Sequence, residues 1–223
     1  MPDSTDRERA HARSKTVKKP RARPTTKASS DAPKSSAPTT PYLLFDVRLS
    51  EIRPVIVRRF LLSKTATFRD LHDAIQDAFG WSDVHGWLFE TNALKPPIAG
   101  PPDEEDFVQP RPDARKVKLT RFFGESAAQK CRYVYDLGEP WDHEVRYAGI
   151  VRREGRFQRE LLSGARAGPP EDCGGMDGYE ECAMHVRGKS RASAAKKKEM
   201  KEWLGDWDPE RFELTEAKKQ FDR

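Results

Sequence analysis

The densest group of residues that can do acid–base chemistry lies near the middle of the chain. Four carboxylates, Asp136, Glu139, Asp142 and Glu144, surround Trp141 and His143. Carboxylates beside a histidine can exchange protons as general acid and base, and their oxygens can bind a hard divalent cation. One hypothesis is therefore an active site or a cation site at this segment.

The same segment also has the composition of a tight turn between two strands. Asp136 opens the sequence Asp-Leu-Gly-Glu-Pro, in which Gly138 is free to adopt a positive φ and Pro140 presets its own φ. On the strand that follows, alternation places His143 and Glu144 on opposite faces, so the acidic side chains need not converge. We favour this structural interpretation over the catalytic one.

A second histidine stands after an aromatic and acidic segment. His85 follows Trp81, Ser82 and Asp83, and with His143 it would supply two imidazole ligands for a transition metal if the fold brought them together. The alternative is a histidine that makes a local hydrogen bond and holds a loop. Because the spacing forces no third ligand, we expect no bound metal or other cofactor.

A third candidate is the loop Pro-Pro-Glu-Asp-Cys-Gly-Gly, which contains Glu171, Asp172 and Cys173. The thiol would be a nucleophile only if a neighbouring cation or helix N-terminus lowered its pKa, and the sequence offers neither. The glycines are better explained by a sharp backbone path. The chain has three cysteines and no Cys-x-x-Cys pair, so we expect reduced thiols.

Basic residues are concentrated at the N-terminus. Residues 1–40 hold ten Lys and Arg against four Asp and Glu, whereas residues 41–223 hold 31 against 32. The first segment is rich in Ser, Thr, Pro and Ala, and we expect it to be disordered because it cannot bury enough apolar surface. Its basic cluster can contact nucleic-acid phosphates weakly, or it only solubilises the chain. The cluster consists of Lys18, Lys19, Arg21 and Arg23.

Hydrophobic periodicity predicts one α+β domain over residues 41–223. A β-β-α-β start, similar to a β-grasp order, leads into a mixed or antiparallel sheet of about five or six strands with helices at the C-terminal end. The helix after Thr67 is capped by that hydroxyl and ends at Gly80. The predicted strands, by residue number, are 42–49, 54–61, 86–91, 116–119, 132–136 and 143–151.

The C-terminal third is predicted to be helical after a loop. Residues 164–178 are rich in Gly and Pro and are read as that loop. Helices are expected at 179–186 and 194–204, and a last one is expected after residue 212.

Four separated segments carry a resemblance to a known family: Phe-Gly-Trp-Ser-Asp-Val-His at 79–85, Tyr-Val-Tyr-Asp-Leu-Gly-Glu-Pro-Trp-Asp-His-Glu-Val at 133–145, Pro-Pro-Glu-Asp-Cys-Gly-Gly-Met-Asp-Gly-Tyr at 169–179, and Trp-Leu-Gly-Asp-Trp-Asp-Pro-Glu-Arg-Phe at 203–212. In this order they resemble the plasmid pRi open-reading-frame-three-like family, whose members are also known as passenger proteins of insertion elements. The resemblance spans about residues 42–221 and implies a compact α+β domain without established catalytic residues. The family often has a cysteine where this chain has Gly168, so a thiol pair or metal site built there is not expected.

Three hypotheses for function follow. No apolar run is long enough to span a bilayer and no secretory signal is evident, so we expect a cytoplasmic protein without membrane contact. The favoured hypothesis is a non-enzymatic accessory or interaction module of mobile-element origin with a protein partner. The alternatives are a nucleic-acid-associated protein that acts through the basic tail, and a metal-dependent enzyme that uses His85, His143 and the nearby carboxylates.

Overall fold

The structure is a computed structural model that describes residues 38–91, 95–102, 111–124 and 129–222. The basic cluster of the tail lies outside these residues, and so does most of the segment predicted to be disordered. The first strand begins at Thr39, three residues earlier than predicted. The ordered domain therefore includes the last two residues that were assigned to the tail.

Six strands form one open sheet in which every pairing between strands of the described residues is antiparallel. The order across the sheet is β3-β4-β5-β1-β2-β6, so the first strand of the chain is central. This confirms the predicted α+β class and the β-β-α-β start. The strands are β1 Thr39–Leu49, β2 Ile56–Ser63, β3 Trp87–Glu90, β4 Lys130–Tyr135, β5 Trp141–Glu154 and β6 Arg159–Ala165.

One face of the sheet carries the main hydrophobic core. On β1, alternate side chains beginning with Leu43 and Phe45 point to this face, as the period of two in a strand requires. The register of β1 on β5 shifts between Leu44 and Phe45, which is a β-bulge opposite Gly149. Gly149 has a φ of 112°, a conformation that glycine adopts readily. The shift lets the long β5 strand stay paired along all of β1.

Helix α1, Phe68–Phe79, covers this face and is positioned by its own ends. The hydroxyl of Thr67 accepts the backbone N–H of Asp70, whose carboxylate accepts the Thr67 N–H at 2.7 Å in return. Gly80 then ends the helix in the left-handed conformation, with φ of 83°. The predicted helix is therefore confirmed at both ends.

Two sequence predictions about strands were wrong. Residues 116–119 form no strand: Lys118 makes only an isolated bridge to Thr67, and a short helix α2 follows at Leu119–Phe122. The sixth strand is β6, which had been assigned in part to a loop. Its pattern was hidden because the inward position Arg159 is charged, and that side chain is buried against Asp77 and the carbonyl of Phe221.

Three helices complete the chain after β6. Helix α3, Gly175–Val186, begins four residues before its predicted start, whereas α4, Ala194–Leu204, has the predicted bounds. Helix α5, Leu214–Phe221, returns to the sheet and places Phe221 against Phe60, with ring centroids 5.3 Å apart. The α3–α4 pair has a small core of its own, made by Cys182, Met200 and Leu204.

The opposite face of the sheet carries ion pairs at its centre instead of helices. Asp46 on β1 accepts a hydrogen bond from Arg146 on β5 at 2.5 Å and lies 3.6 Å from Arg59 on β2. A small apolar cluster around Tyr42 and Leu61 occupies the rest of this face. Among the residues that the structure describes, no helix is both long and apolar enough to cross a bilayer.

Candidate functional site

The first site segment is the turn that leaves α1. Trp81 is buried and stacks between Phe79 and Tyr135, with ring centroids at 5.2 and 4.8 Å. Its indole Nε1 donates to the Pro169 carbonyl at 2.9 Å. A buried indole N–H needs an acceptor, so this tryptophan ties the turn after α1 to the loop that begins at Pro169.

A network of polar groups, some buried and some half-buried, holds the same turn. His72 on α1 donates from Nε2 to the Asp83 carboxylate at 2.8 Å, and Arg69 donates to the other oxygen at 2.7 Å. Because a carboxylate only accepts, Nε2 carries the proton and Nδ1 accepts from the Tyr133 hydroxyl at 2.8 Å. Gln76 closes the network: its amide donates to Tyr133, and its oxygen accepts the Asp83 N–H.

Electrostatics make this network structural in character. Burial lowers the pKa of His72 although its bond to Asp83 opposes that effect. Burial raises the pKa of Tyr133 well above its usual value, so the phenol stays protonated. Burial also works to raise the pKa of Asp83, but the hydrogen bonds from His72 and Arg69 outweigh it and lower this pKa. A fully satisfied network of this kind rigidifies the turn.

Sequence reasoning missed this network. His72 is fully buried and stacks on Trp87 with ring centroids 3.8 Å apart. The available signal was its place on the apolar face of α1, four residues after Phe68. Among the described residues, the one group whose geometry suits a metal ion is His72, Asp73 and Asp83. Arg69 already pairs with both carboxylates, so a metal would have to displace its guanidinium.

The second site segment is the loop that contains Glu171 and Asp172. Glu171 accepts the Ser82 N–H at 2.7 Å and the Tyr135 hydroxyl at 2.9 Å. Burial, together with this bond, raises the pKa of Tyr135. Asp172 has a positive φ of 55° and accepts a hydrogen bond from His85 Nε2 at 2.7 Å. Both acids therefore join this loop to the turn after α1.

Gly168, which precedes this loop, sits against the end of α1. A Cβ at this position would lie 2.1 Å from the Phe79 carbonyl oxygen. The end of α1 therefore leaves no room for a side chain at this position. The close approach also lets the Gly168 carbonyl accept the indole N–H of Trp207 at 2.9 Å.

The third segment is the turn between β4 and β5. Asp136 caps it: one carboxylate oxygen accepts the N–H groups of Gly138 and Glu139, at 3.0 and 3.2 Å. The predicted turn is present, but the positive φ belongs to Asp136, at 60°, and not to Gly138. Asp can adopt this conformation because its short side chain bonds to the backbone just ahead.

On β5 the predicted alternation is confirmed. His143 is buried, whereas Glu144 faces the opposite side of the sheet and pairs with Lys130 at 2.7 Å. The imidazole Nδ1 donates to the Trp141 carbonyl at 2.9 Å, and the ring edges meet Phe79 and Trp81. Burial lowers the pKa of His143 to about 4, so this histidine is neutral at physiological pH.

Cys173 is half-buried in the loop that also contains Glu171 and Asp172. Burial, with a smaller contribution from Cys182, raises its pKa to about 12. Its sulfur makes only a weak contact to the Gly175 carbonyl, at 3.7 Å. The environment therefore favours the thiol over the thiolate, which is the reverse of what an activated nucleophile needs.

These segments together create an exposed surface that we call the acidic rim. It consists of His85, Asp136, Glu139 and Asp172 with the exposed side chains of Val84 and Leu137. His85 is the one basic group in it. Slight burial works to lower the His85 pKa, but the hydrogen bond that His85 donates to Asp172 and the charges of Asp136 and Glu171 outweigh it and raise this pKa.

The structure thus sorts the candidate residues into three groups. Those of the acidic rim reach solvent, and Glu171 holds the rim from behind. Trp81, Trp141 and His143 belong to the core beneath it, and Glu144 lies on the other face of the sheet. His85 and His143 therefore occupy different environments, one at the surface on Asp172 and one among buried aromatic rings.

The fold and the site together define a class of protein. It is an α+β domain with an open antiparallel sheet and helices on one face, in which three segments meet around Trp81: the turn after α1, the loop that begins at Pro169, and the turn between β4 and β5. The family model for plasmid pRiA4b ORF-3-like protein matches residues 42–216, and this chain belongs to that family. The four segments that carried the resemblance all lie within the matched range.

Two relatives agree with this assignment. The chain is 30% identical over 178 residues to uncharacterized protein y4hQ of Sinorhizobium fredii (strain NBRC 101917 / NGR234), covering 79% of this chain and 88% of the relative. It is also similar to the crystal structure of MM3350, a protein of unknown function from Methanosarcina mazei Go1, with a TM-score of 0.65 and 32% identity. That match covers 79% of this chain and 97% of the other. These relatives are uncharacterised, so the functional argument rests on the site.

Proposed function

We propose that this protein is a non-enzymatic interaction module of plasmid or insertion-element origin that works in the cytoplasm. Its acidic rim binds a cationic segment of a partner protein. The observation that carries the proposal is that Asp136 and Asp172 both act on His85, with Glu139 on the same turn as Asp136. Next to them in the chain are two exposed aliphatic side chains, Val84 at 61% and Leu137 at 37% exposure.

The chemistry of the rim indicates the kind of partner. Carboxylates attract Lys and Arg side chains and set the orientation and speed of encounter. The aliphatic side chains of Val84 and Leu137 add apolar area that contact would remove from water, which is favourable at about 25 cal/mol per Å². A basic segment with at least one apolar side chain fits both features.

The backbone of the rim supports a preorganised surface. Among the described residues, three aspartates have a left-handed backbone: Asp83, Asp136 and Asp172, with φ of 54°, 60° and 55°. A non-glycine residue in this region costs on the order of 1 kcal/mol and persists only where the surroundings hold it. Such strain is concentrated at functional surfaces, and here the hydrogen bonds of the converging loops hold it.

The environments of the candidate catalytic groups favour this proposal over an enzyme. His143 is neutral and enclosed by aromatic rings, the pKa of Cys173 is raised, and the hydroxyl of Tyr135 is bonded to Glu171. Each of these groups serves the packing of the rim from behind. What reaches solvent is charge and apolar area, which is the composition of a recognition surface.

The test uses the full chain and a fluorescein-labelled lysine-rich peptide that contains leucine, with binding followed by fluorescence anisotropy. We expect the triple variant Asp136→Asn, Glu139→Gln and Asp172→Asn to bind at least about ten-fold more weakly, because it removes the charges while Asn still tolerates a left-handed backbone. The matched control is Glu154→Gln, Glu213→Gln and Glu216→Gln, which removes three exposed carboxylates elsewhere. Equal binding by wild type and rim variant would contradict the proposal.

A second measurement separates this function from a metal-dependent enzyme. Melting temperatures are compared with and without Zn²⁺ or Mn²⁺ for wild type and His85→Ala, since a cation that binds the native state stabilises it. We expect no stabilisation that depends on His85. A metal-dependent rise that His85→Ala abolishes would support the metal site and overturn the interaction proposal.

A further inference from the structure

Charge is distributed unevenly within the folded domain, although its total is close to zero. Residues 187–203 contain seven Lys and Arg against two Glu, whereas the rest of residues 41–223 contains 24 against 30. We call residues 187–203 the basic arm. It comprises the connection between α3 and α4 and most of α4. A domain whose other residues are acidic overall thus carries one strongly basic segment.

Much of this positive charge is not neutralised within the fold. Arg187 pairs with Glu210 at 2.6 Å, and Lys196 pairs with Glu181 at 3.3 Å. Lys198 lies 3.9 Å from Glu202. Four further cations of the arm are exposed and form no ion pair with any residue in the described ranges: Lys189, Arg191, Lys197 and Lys201.

The packing of α4 explains why these side chains point outward. Met200 and Leu204 lie four residues apart and face α3. With Cys182 of α3 they form the small core of the α3–α4 pair. Lys197 and Lys201 are also four residues apart, so they share one flank of the helix, with about 6 Å of axial rise between them. The arm therefore presents a row of lysines beside a connection that carries two more cations.

From this placement we infer that the basic arm binds the phosphate backbone of a nucleic acid. Four unpaired cations, two on α4 and two on the connection before it, form an electrostatic footprint for a polyanion, and binding would release condensed counterions. Within residues 187–203, all of which the structure describes, Trp203 is the one exposed large apolar side chain. Because a protein–protein interface needs an apolar core, a nucleic acid fits this surface better than an acidic protein. The surface is formed by elements other than those of the acidic rim, so this inference does not depend on the proposed function.

An anionic membrane fits the arm less well. A helix that lies on a bilayer needs a broad apolar face to insert. In α4 the apolar side chains Met200 and Leu204 are occupied by packing against α3, which leaves Trp203, 52% exposed, as the large apolar group available. Trp203 is instead suited to stacking on a nucleic-acid base.

The test compares full-length variants for binding to a mixed-sequence DNA duplex and to a single strand of the same sequence. The arm variant is Lys189→Gln, Arg191→Gln, Lys197→Gln and Lys201→Gln. Two matched controls each remove four charges: Lys18→Gln, Lys19→Gln, Arg21→Gln and Arg23→Gln in the tail, and Arg48→Gln, Lys95→Gln, Arg152→Gln and Arg156→Gln elsewhere on the domain. All substituted arm and domain positions are exposed, so the fold should persist.

We expect the arm variant to lose at least ten-fold in affinity and each control to lose less than three-fold. The slope of log affinity against log salt should also fall in magnitude by about 3.6 for the duplex, since each of the four phosphate contacts contributes about 0.9. Quenching of Trp203 fluorescence by the single strand, abolished by Trp203→Leu, would support stacking beside the arm.

Four results would overturn the inference. One is no binding of either nucleic acid by the wild type at about 50 mM salt. Another is a loss confined to the tail variant, which would assign the contact to the tail. Equal losses in all three variants would mean that only total charge matters. Binding to phosphatidylserine vesicles without binding to nucleic acid would assign the arm to a membrane surface.

Discussion

Replacing His143 should change how the stability of the protein depends on pH. Burial lowers the pKa of this imidazole to about 4 in the native state, whereas an unfolded chain has a histidine pKa of about 6.5. As the pH falls below that value, the unfolded state takes up a proton that the native state refuses until about pH 4. The contribution of His143 to stability is therefore present above about pH 6.5 and is lost as the pH falls toward 4.

The size of the effect follows from the two pKa values. Each unit of difference corresponds to 1.36 kcal/mol, so the complete effect is about 3 kcal/mol, of which about 2 kcal/mol is lost between pH 7 and pH 5. The assay is urea unfolding at both pH values for wild type and His143→Phe. The variant cannot titrate at this position, and its ring suits a site lined by Phe79 and Trp81. We expect the variant to lose about 2 kcal/mol less than the wild type over this interval.

The comparison isolates His143 because the other titrating groups are common to both proteins. His72, whose pKa is also lowered by burial, contributes to both slopes. The control is Glu144→Gln, on the opposite face of the sheet, which should keep the wild-type slope at these pH values. Equal losses of stability in wild type and His143→Phe would refute the view of His143 as a buried neutral group. Overpacking by phenylalanine would lower stability at both pH values and leave the difference between them readable.

Three further predictions concern the packing behind the acidic rim. Asp83→Asn should lower the free energy of unfolding by about 1–2 kcal/mol, measured in urea, because the amide carries no charge and keeps one acceptor oxygen for two donors, His72 and Arg69; an unchanged midpoint would contradict the proposed network. Gly168→Ala should cost more than about 2 kcal/mol because its methyl meets a carbonyl of α1, whereas the control Gly138→Ala, whose Cβ meets its nearest atom at 3.4 Å, should cost under about 1 kcal/mol. At pH 8, iodoacetamide should alkylate Cys173 at least about ten-fold more slowly than free cysteine, because its thiolate is disfavoured; faster modification, located by mass spectrometry, would restore the nucleophile hypothesis.

Local patterns were sufficient for the parts of the fold that are stabilised by neighbours in the chain. Thr67 and Gly80 bound α1 through hydrogen bonds and backbone preferences that span only a few residues, so both ends were predictable. The opposite orientations of His143 and Glu144 follow from strand geometry alone. The turn at Asp136 was also predictable from its composition, although the residue that takes the positive φ was not.

The basic arm was not predicted from the sequence, for a different reason. Its charges are visible in the sequence, but averaging over residues 41–223 conceals them among the acidic side chains of the rest of the domain. Counting charge for each predicted helix would have revealed the excess. That the charges are exposed and unpaired still required the packing of Met200 and Leu204 against α3.

The sequence by itself determined the family, the α+β class, the limits of α1 and which face of β5 is buried. Only the tertiary structure decided that β6 joins the sheet. It also decided that His72 bonds to Asp83, eleven residues away in the sequence, and to Tyr133, sixty-one residues away. In the same way, Glu171 accepts a hydrogen bond from Tyr135, thirty-six residues away. The physical reason is that a propensity or a cap acts over one or two turns of chain, whereas a buried polar group is satisfied by whichever partner the fold brings within about 3 Å. For the acidic rim, that partner is provided by loops far apart in the sequence, and their convergence is a property of the sheet that carries them.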